Sequence, residues 1–230
     1  MGNKNYSSWS IRPWFFLRHT KPMVGGAAVR EVVIPLDAPE TIAGIRAVSK
    51  TGRVPVLELD GGELVTDSLS IGEALHELCP EAGVWPQDAK VRRRARSACA
   101  EMHSSFAPMR GVLVCNKRAR YAPSEWKKVA ADEASVRAVE ADITRVEELF
   151  RDLLQASGGP FLCGSFGYVD AYFAPVVSRL ATYAITPRND DAAAYRARME
   201  ALETYGQWER EALAEPWSIE KSEYAIRRLG

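Results

Sequence analysis

The stretch Val54-Pro55-Val56-Leu57-Glu58-Leu59-Asp60-Gly61-Gly62-Glu63-Leu64-Val65-Thr66-Asp67-Ser68 decides how this chain folds. Asp60-Gly61-Gly62 is a strong turn signal between two β-prone runs, so residues 54–59 and 63–65 read as a hairpin. A residue before proline is kept out of the helical region. If the bond is cis, Val54 turns its N–H and C=O outward to pair with an extended ligand. Ser68 opens a helix, with Ile71, Ala74, Leu75 and Leu78 at helical spacing up to Pro80.

Upstream lies Tyr6-Ser7-Ser8-Trp9-Ser10-Ile11-Arg12. A serine-rich loop opening a helix offers hydroxyls and unpaired backbone N–H groups to an anion such as a thiolate. Ser10 caps a helix in which Ile11, Trp14 and Phe15 share a face, Pro13 falls in the first turn, and the end comes near His19. Val29 to Ile34 reads as a strand bounded by Pro35, and Ile42, Ile45 and Val48 mark a short helix that Gly52 closes. The order helix, strand, helix, hairpin, helix describes a small α/β unit over residues 1–79. Only Met1 to Asn5 precede the loop where a first strand belongs, so either that strand is truncated or the true start lies upstream.

Residues 80–88, with two prolines, a glycine and no periodicity, read as a linker. Residues 89–230 read as an all-α bundle. Lys90 to about Lys117 forms one long helical pattern bent near Pro108. Val136, Val139, Ile143, Val146, Leu149, Phe150, Leu153 and Leu154 form an apolar stripe that Gly158-Gly159-Pro160 ends, and helices follow over 168–183, 191–205 and 205–214.

The chain has 230 residues, 47% of them hydrophobic, with 30 basic and 30 acidic side chains. A net charge of zero gives no global field to recruit nucleic acid or anionic lipid, and the run Lys90 to Arg96 reads as a solvated helix face. The four cysteines form no CxxC pair and read as free thiols, and three histidines without ligand spacing give no metal site. No apolar stretch approaches a membrane span and no leader pattern opens the chain, which points to the cytoplasm.

In this order the serine loop, Val54-Pro55, Asp67-Ser68, Trp85-Pro86 and Gly164-x-x-Gly167-Tyr168-Val169-Asp170 resemble the cytosolic glutathione S-transferases, over the whole chain. The loop is closest to the serine-type, zeta-like bacterial members, with Trp9 where those carry a cysteine. The resemblance implies a thioredoxin-like N-terminal domain, an all-α C-terminal domain and glutathione as co-substrate. It puts thiol activation on Ser7, with Ser8 as the near alternative, and glutathione binding on Ser10, Val54, Pro55, Asp67 and Ser68, with Lys50 or Arg53 meeting the glycyl carboxylate. Trp9, His103, Phe106 and Arg110 would line the pocket for a small electrophile. It further implies a homodimer, and a capping role for Asp170 in a buried helix. The same thiolate would also serve a glutathione-dependent isomerase of the maleylacetoacetate type or a peroxidase, and a non-catalytic transferase-like binding module is the remaining alternative.

Overall fold

The computed structural model describes residues 1–20 and 29–229. Its elements are α1 (Ser8–Thr20), α2 (Thr41–Val48), β1 (Val56–Glu58), β2 (Leu64–Thr66), α3 (Ser68–Leu78), α4 (Ala89–Ser104), α5 (Ala107–Val112), α6 (Glu133–Ser157), α7 (Tyr168–Thr182), α8 (Asp190–Glu200) and α9 (Glu203–Ala214). This is a thioredoxin-like N-terminal half followed by a helical half. The sheet is the β1–β2 hairpin alone among the described residues, antiparallel with Val56 opposite Thr66. Gly61 and Gly62 turn it at φ of 93° and 86°, where a side chain would be strained.

The strand expected over Val29 to Ile34 is not formed. Among the described residues, 29–35 carry no paired ladder; their two backbone bonds to the N-terminus run from Met1 N to Val32 O at 2.7 Å and from Ile34 N to Met1 O at 2.8 Å, beside a side-chain bond from Lys4 Nζ to Glu31 Oε2 at 2.5 Å. Two bonds are too few for a ladder, and β-propensity yields to the missing neighbour. The single helix expected from Lys90 to Lys117 is two helices. Phe106 takes φ of 60° between them, and Pro108, which lacks an N–H and crowds the preceding turn, sits in the first turn of α5. Residues 113–122 then run as a non-helical segment.

Helix α7 is the axis of the core, with every residue from Tyr168 to Leu180 buried. Asp170 fixes its start. Its carboxylate accepts from Gly167 N at 2.9 Å, Leu162 N at 3.1 Å and Tyr195 Oη at 3.0 Å. Even so, burial pushes the Asp170 carboxyl up to about 6. Phe15 and Phe16 of α1 pack on Phe166, Tyr168 and Trp208, so the N-terminal half buries its aromatic face against the helical half. Trp85 of the connecting segment stacks edge-on against Tyr168 and is buried, so that segment is part of the core. No helix among the described residues is long and apolar enough to cross a membrane.

Two features of this core are testable. A Cβ added at Gly72 would lie 2.4 Å from the ring of Tyr168, whose hydroxyl donates to Ser68 O at 2.5 Å. A ring wedged between two helices cannot yield cheaply, so Gly72→Ala is expected to cost about 2 kcal/mol in urea unfolding despite its better helix propensity. Lys117 is fully enclosed, its ammonium 3.6 Å from the Tyr205 ring centre, 5.0 Å from that of Trp208 and 3.6 Å from Glu209 Oε1. Burial pulls it down to about 8. A lysine so depressed penalises the folded state fully below pH 8, and the penalty vanishes as pH rises through the unfolded value near 10.5. The stability difference between Lys117→Met and the parent is therefore expected to shrink by about 3 kcal/mol as pH rises through that window.

Candidate functional site at the mouth of the first helix

The serine loop has a clear division of labour. Ser7 is the N-cap of α1: its Oγ accepts from Ser10 N at 3.3 Å and donates to Ser10 Oγ at 2.9 Å, and Ser10 Oγ also accepts from Gly2 N. Both Ser7 and Ser10 are buried. Ser8 is half-exposed, and neither its hydroxyl nor the Trp9 N–H is paired among the described residues. Two free donors therefore sit side by side on the first turn, where the helix carries partial positive charge.

From this turn a chain of polar groups runs across to the helical half. Arg12 is buried, its guanidinium 4.2 Å from the Trp9 ring centre and 3.9 Å from that of Tyr172. Its Nη1 donates to Ser68 Oγ at 3.5 Å, its Nε is unpaired, and no carboxylate pairs with it among the described residues. Burial lowers it to about 10. Ser68 Oγ lies 3.3 Å from Tyr172 Oη, which lies 2.8 Å from His103 Nδ1. His103 Nε2 faces Asp67 Oδ2 at 3.6 Å. With Ser68 donating to Tyr172 and Tyr172 to His103, every hydroxyl in the chain is satisfied and Nε2 carries the proton towards Asp67.

Asp67 is exposed and takes φ of 77° with ψ of 138°, outside the left-handed helical region that short polar side chains tolerate, so its backbone is strained. Its Oδ1 caps α3 at Leu69 N, 2.7 Å away. Ser68 is completely buried, so its hydroxyl is spent on the polar chain. The Val54–Pro55 bond is cis; Pro55 is buried, Val54 is half-buried, and the Val54 N–H and C=O are unpaired among the described residues. Lys50 and Arg53 are exposed beside them.

Trp9 is edge-on to His103, with ring centres 5.0 Å apart, and lies 5.3 Å from the guanidinium of Arg110, which donates to His103 O. These three half-exposed side chains form one wall. Phe106 does not join it; the positive φ at the α4–α5 break turns this residue into the core, where it is buried. Arg12 and Tyr172 were not singled out for a role by the sequence reading. A cation inside the apolar run Ile11 to Phe16 was the available signal for Arg12, whereas nothing local marks Tyr172.

Residues 6–78 match the family model for the glutathione S-transferase N-terminal domain. Among curated proteins, the chain is 28% identical over 161 residues to a zeta-class glutathione S-transferase of Euphorbia esula, a match covering 70% of this chain and 66% of that one. It thus spans just under two thirds of that relative's length. Among solved structures it superposes on a bacterial zeta-class maleyl pyruvate isomerase with a TM-score of 0.67 at 23% identity, covering 95% of this chain and all of that one. It superposes on a Burkholderia glutathione transferase homologue with bound glutathione with a TM-score of 0.65 at 20% identity, covering 93% and 96%. Residues 6–78 are thus similar to the glutathione S-transferase N-terminal domain, and the chain as a whole shares the fold of these transferases.

Because Ser7 satisfies the first turn of α1, Ser7→Ala is expected to cost about 1 kcal/mol of stability, and Ser8→Ala less than about 0.5 kcal/mol. Thermal unfolding of the two variants checks the order; equal losses would contradict it.

Proposed function

We propose that this protein is a glutathione transferase that ionises the glutathione thiol and directs the thiolate at a small electrophile. The observation that carries the reading is the pair of free donors, Ser8 Oγ–H and Trp9 N–H, on the first turn of α1, within one connected cluster that reaches Asp67. A free thiol near pKa 8.5 is only a few per cent ionised at neutral pH; two donors and a helix N-terminus lower that value without any base. Ser8 takes the catalytic role, since the Ser7 hydroxyl is committed to Ser10. Ser7 then acts by holding the loop, and Ser10 by holding Ser7.

In this reading the tripeptide lies extended along Val54, whose free backbone groups pair with the cysteinyl residue. Its γ-glutamyl ammonium meets the open Asp67 carboxylate, and its glycyl carboxylate meets Lys50 or Arg53. Pro55 fixes the bend that presents Val54. Ser68 contributes through Asp67 and Tyr172. The electrophile sits against Trp9, His103 and Arg110. Because His103 O is the one hydrogen-bond acceptor of Arg110 among the described residues, an electrophile bearing a carboxylate is favoured, and glutathione-dependent isomerisation of an unsaturated acid is the second reading.

Residues 1–79 form the glutathione-binding half and 89–230 the helical half, with 80–88 between them. A homodimer in the cytoplasm is the working assembly, which sedimentation checks.

Ser8→Ala is expected to lower kcat/KM for thiol transfer by about 100-fold, the scale of one lost oxyanion-type donor. The thiol pKa of bound glutathione, read by ultraviolet titration, should rise towards its free value while binding persists. Failure of the parent protein to bind glutathione sinks the reading. Binding with no change in thiol pKa would mark a non-catalytic binding module.

A further inference from the structure

The residues just ahead of Ser7 owe their position to the far end of the chain. Lys4 N donates to Glu215 Oε1 at 2.6 Å and Asn5 N donates to Glu215 Oε2 at 2.9 Å. One carboxylate thus holds two consecutive backbone N–H groups in a fork, a geometry in which both oxygens act at once. The carbonyls of the same two residues are held from the helical half as well: Trp208 Nε1 donates to Lys4 O at 2.8 Å and Lys117 N to Asn5 O at 3.2 Å. The Asn5 side chain is paired at both ends, with Asn116 Oδ1 and Arg118 N. Next along, Tyr6 Oη donates to Glu223 Oε1 at 2.5 Å and accepts from Arg118 Nη2 at 2.7 Å. Arg118 completes the junction by donating to Glu215 O and Trp217 O.

This arrangement answers a physical problem set by the N-terminal half. A loop that opens a helix is normally fixed by the strand feeding it, and here residues 1–6 form no strand. Seven polar groups of Lys4, Asn5 and Tyr6 would otherwise be left to water, and the loop would sample many conformations. Ser7 N donates to Asn3 O and Ser8 N to Tyr6 O, so any play in residues 3–6 passes directly to the first turn of α1.

We propose that Glu215 is a positioning residue for thiol activation: by gripping Lys4 N and Asn5 N it sets where the Ser8 hydroxyl and Trp9 N–H point. Tyr6, Glu223 and Arg118 secure the other end of the same loop. The inference rests on the functional reading above, and Glu215 acts on the thiolate only through the backbone it holds.

Glu215→Gln replaces one of the two acceptor oxygens with an amide that faces an N–H donor. Its expected signature is a fall in kcat/KM of about tenfold, carried by kcat, since misplacement on the ångström scale costs rates of this order. The thiol pKa of bound glutathione should rise by about one unit with Kd for glutathione changed less than about threefold, because the γ-glutamyl and backbone contacts lie elsewhere. Amide hydrogen exchange should accelerate in a peptide spanning residues 4–9 and stay unchanged in α6 and α7. Tyr6→Phe, which removes only the hydroxyl between Glu223 and Arg118, should move the same readouts in the same direction by less, and it decides the matter if Glu215→Gln does not fold. A parent protein that leaves the glutathione thiol at its free pKa sinks the functional reading, whereas the exchange experiment still tests the grip. A parent that lowers it, with Glu215→Gln or, failing its folding, Tyr6→Phe matching the parent in thiol pKa, kcat and exchange, overturns this inference alone.

Discussion

A guanidinium clamped between two aromatic rings ties the halves of the molecule together beside the serine loop. Arg12 stacks on Trp9 from its own helix and on Tyr172 from α7, with Ser68 of α3 at hydrogen-bond distance. Placing a cation in an apolar core is costly, and no carboxylate offsets the cost here among the described residues. The two ring faces return part of it, since a desolvated cation–π contact is worth about 2 kcal/mol or more. The uncompensated remainder acts as a standing positive potential one turn behind Ser8 and adds to the partial charge at the start of α1. An anion at that helix mouth would be the missing counter-charge, which is the place the proposed function gives to the glutathione thiolate.

The same logic explains why the working parts are spread over distant segments. Helix α1 presents its aromatic face to α7, the relay from Ser68 to Asp67 passes through Tyr172 and His103 of the helical half, and Lys4 to Tyr6 are gripped by residues 116–118 and 208–223. Separation of the halves would break all three at once. Small N-terminal units with few paired strands gain their rigidity from such docking rather than from their own sheet.

Local signals carried much of this. Asp60-Gly61-Gly62 placed the hairpin, the Val54-Pro55 step marked where a cis bond could form, and apolar spacing placed α6 nearly to its ends. Each depends on residues within a few positions of one another. The reading failed where tertiary partners decide: Val29 to Ile34 has strand composition without a strand to pair with, and Phe106, which the family resemblance placed in the pocket, is turned into the core by the break before α5. The choice between Ser7 and Ser8 could not be made from a run of hydroxyls; it turns on which one Ser10 has already engaged. Glu215 was invisible for a related reason, since nothing near it in sequence reveals that its partners are Lys4 and Asn5.

The most direct measurement is a crystal structure of the protein with bound glutathione. The account predicts the sulfur within hydrogen-bond reach of both Ser8 Oγ and Trp9 N, with the tripeptide running along Val54 and its γ-glutamyl amine at Asp67. A sulfur held by Ser7 instead, or a tripeptide lodged away from the start of α1, would contradict it.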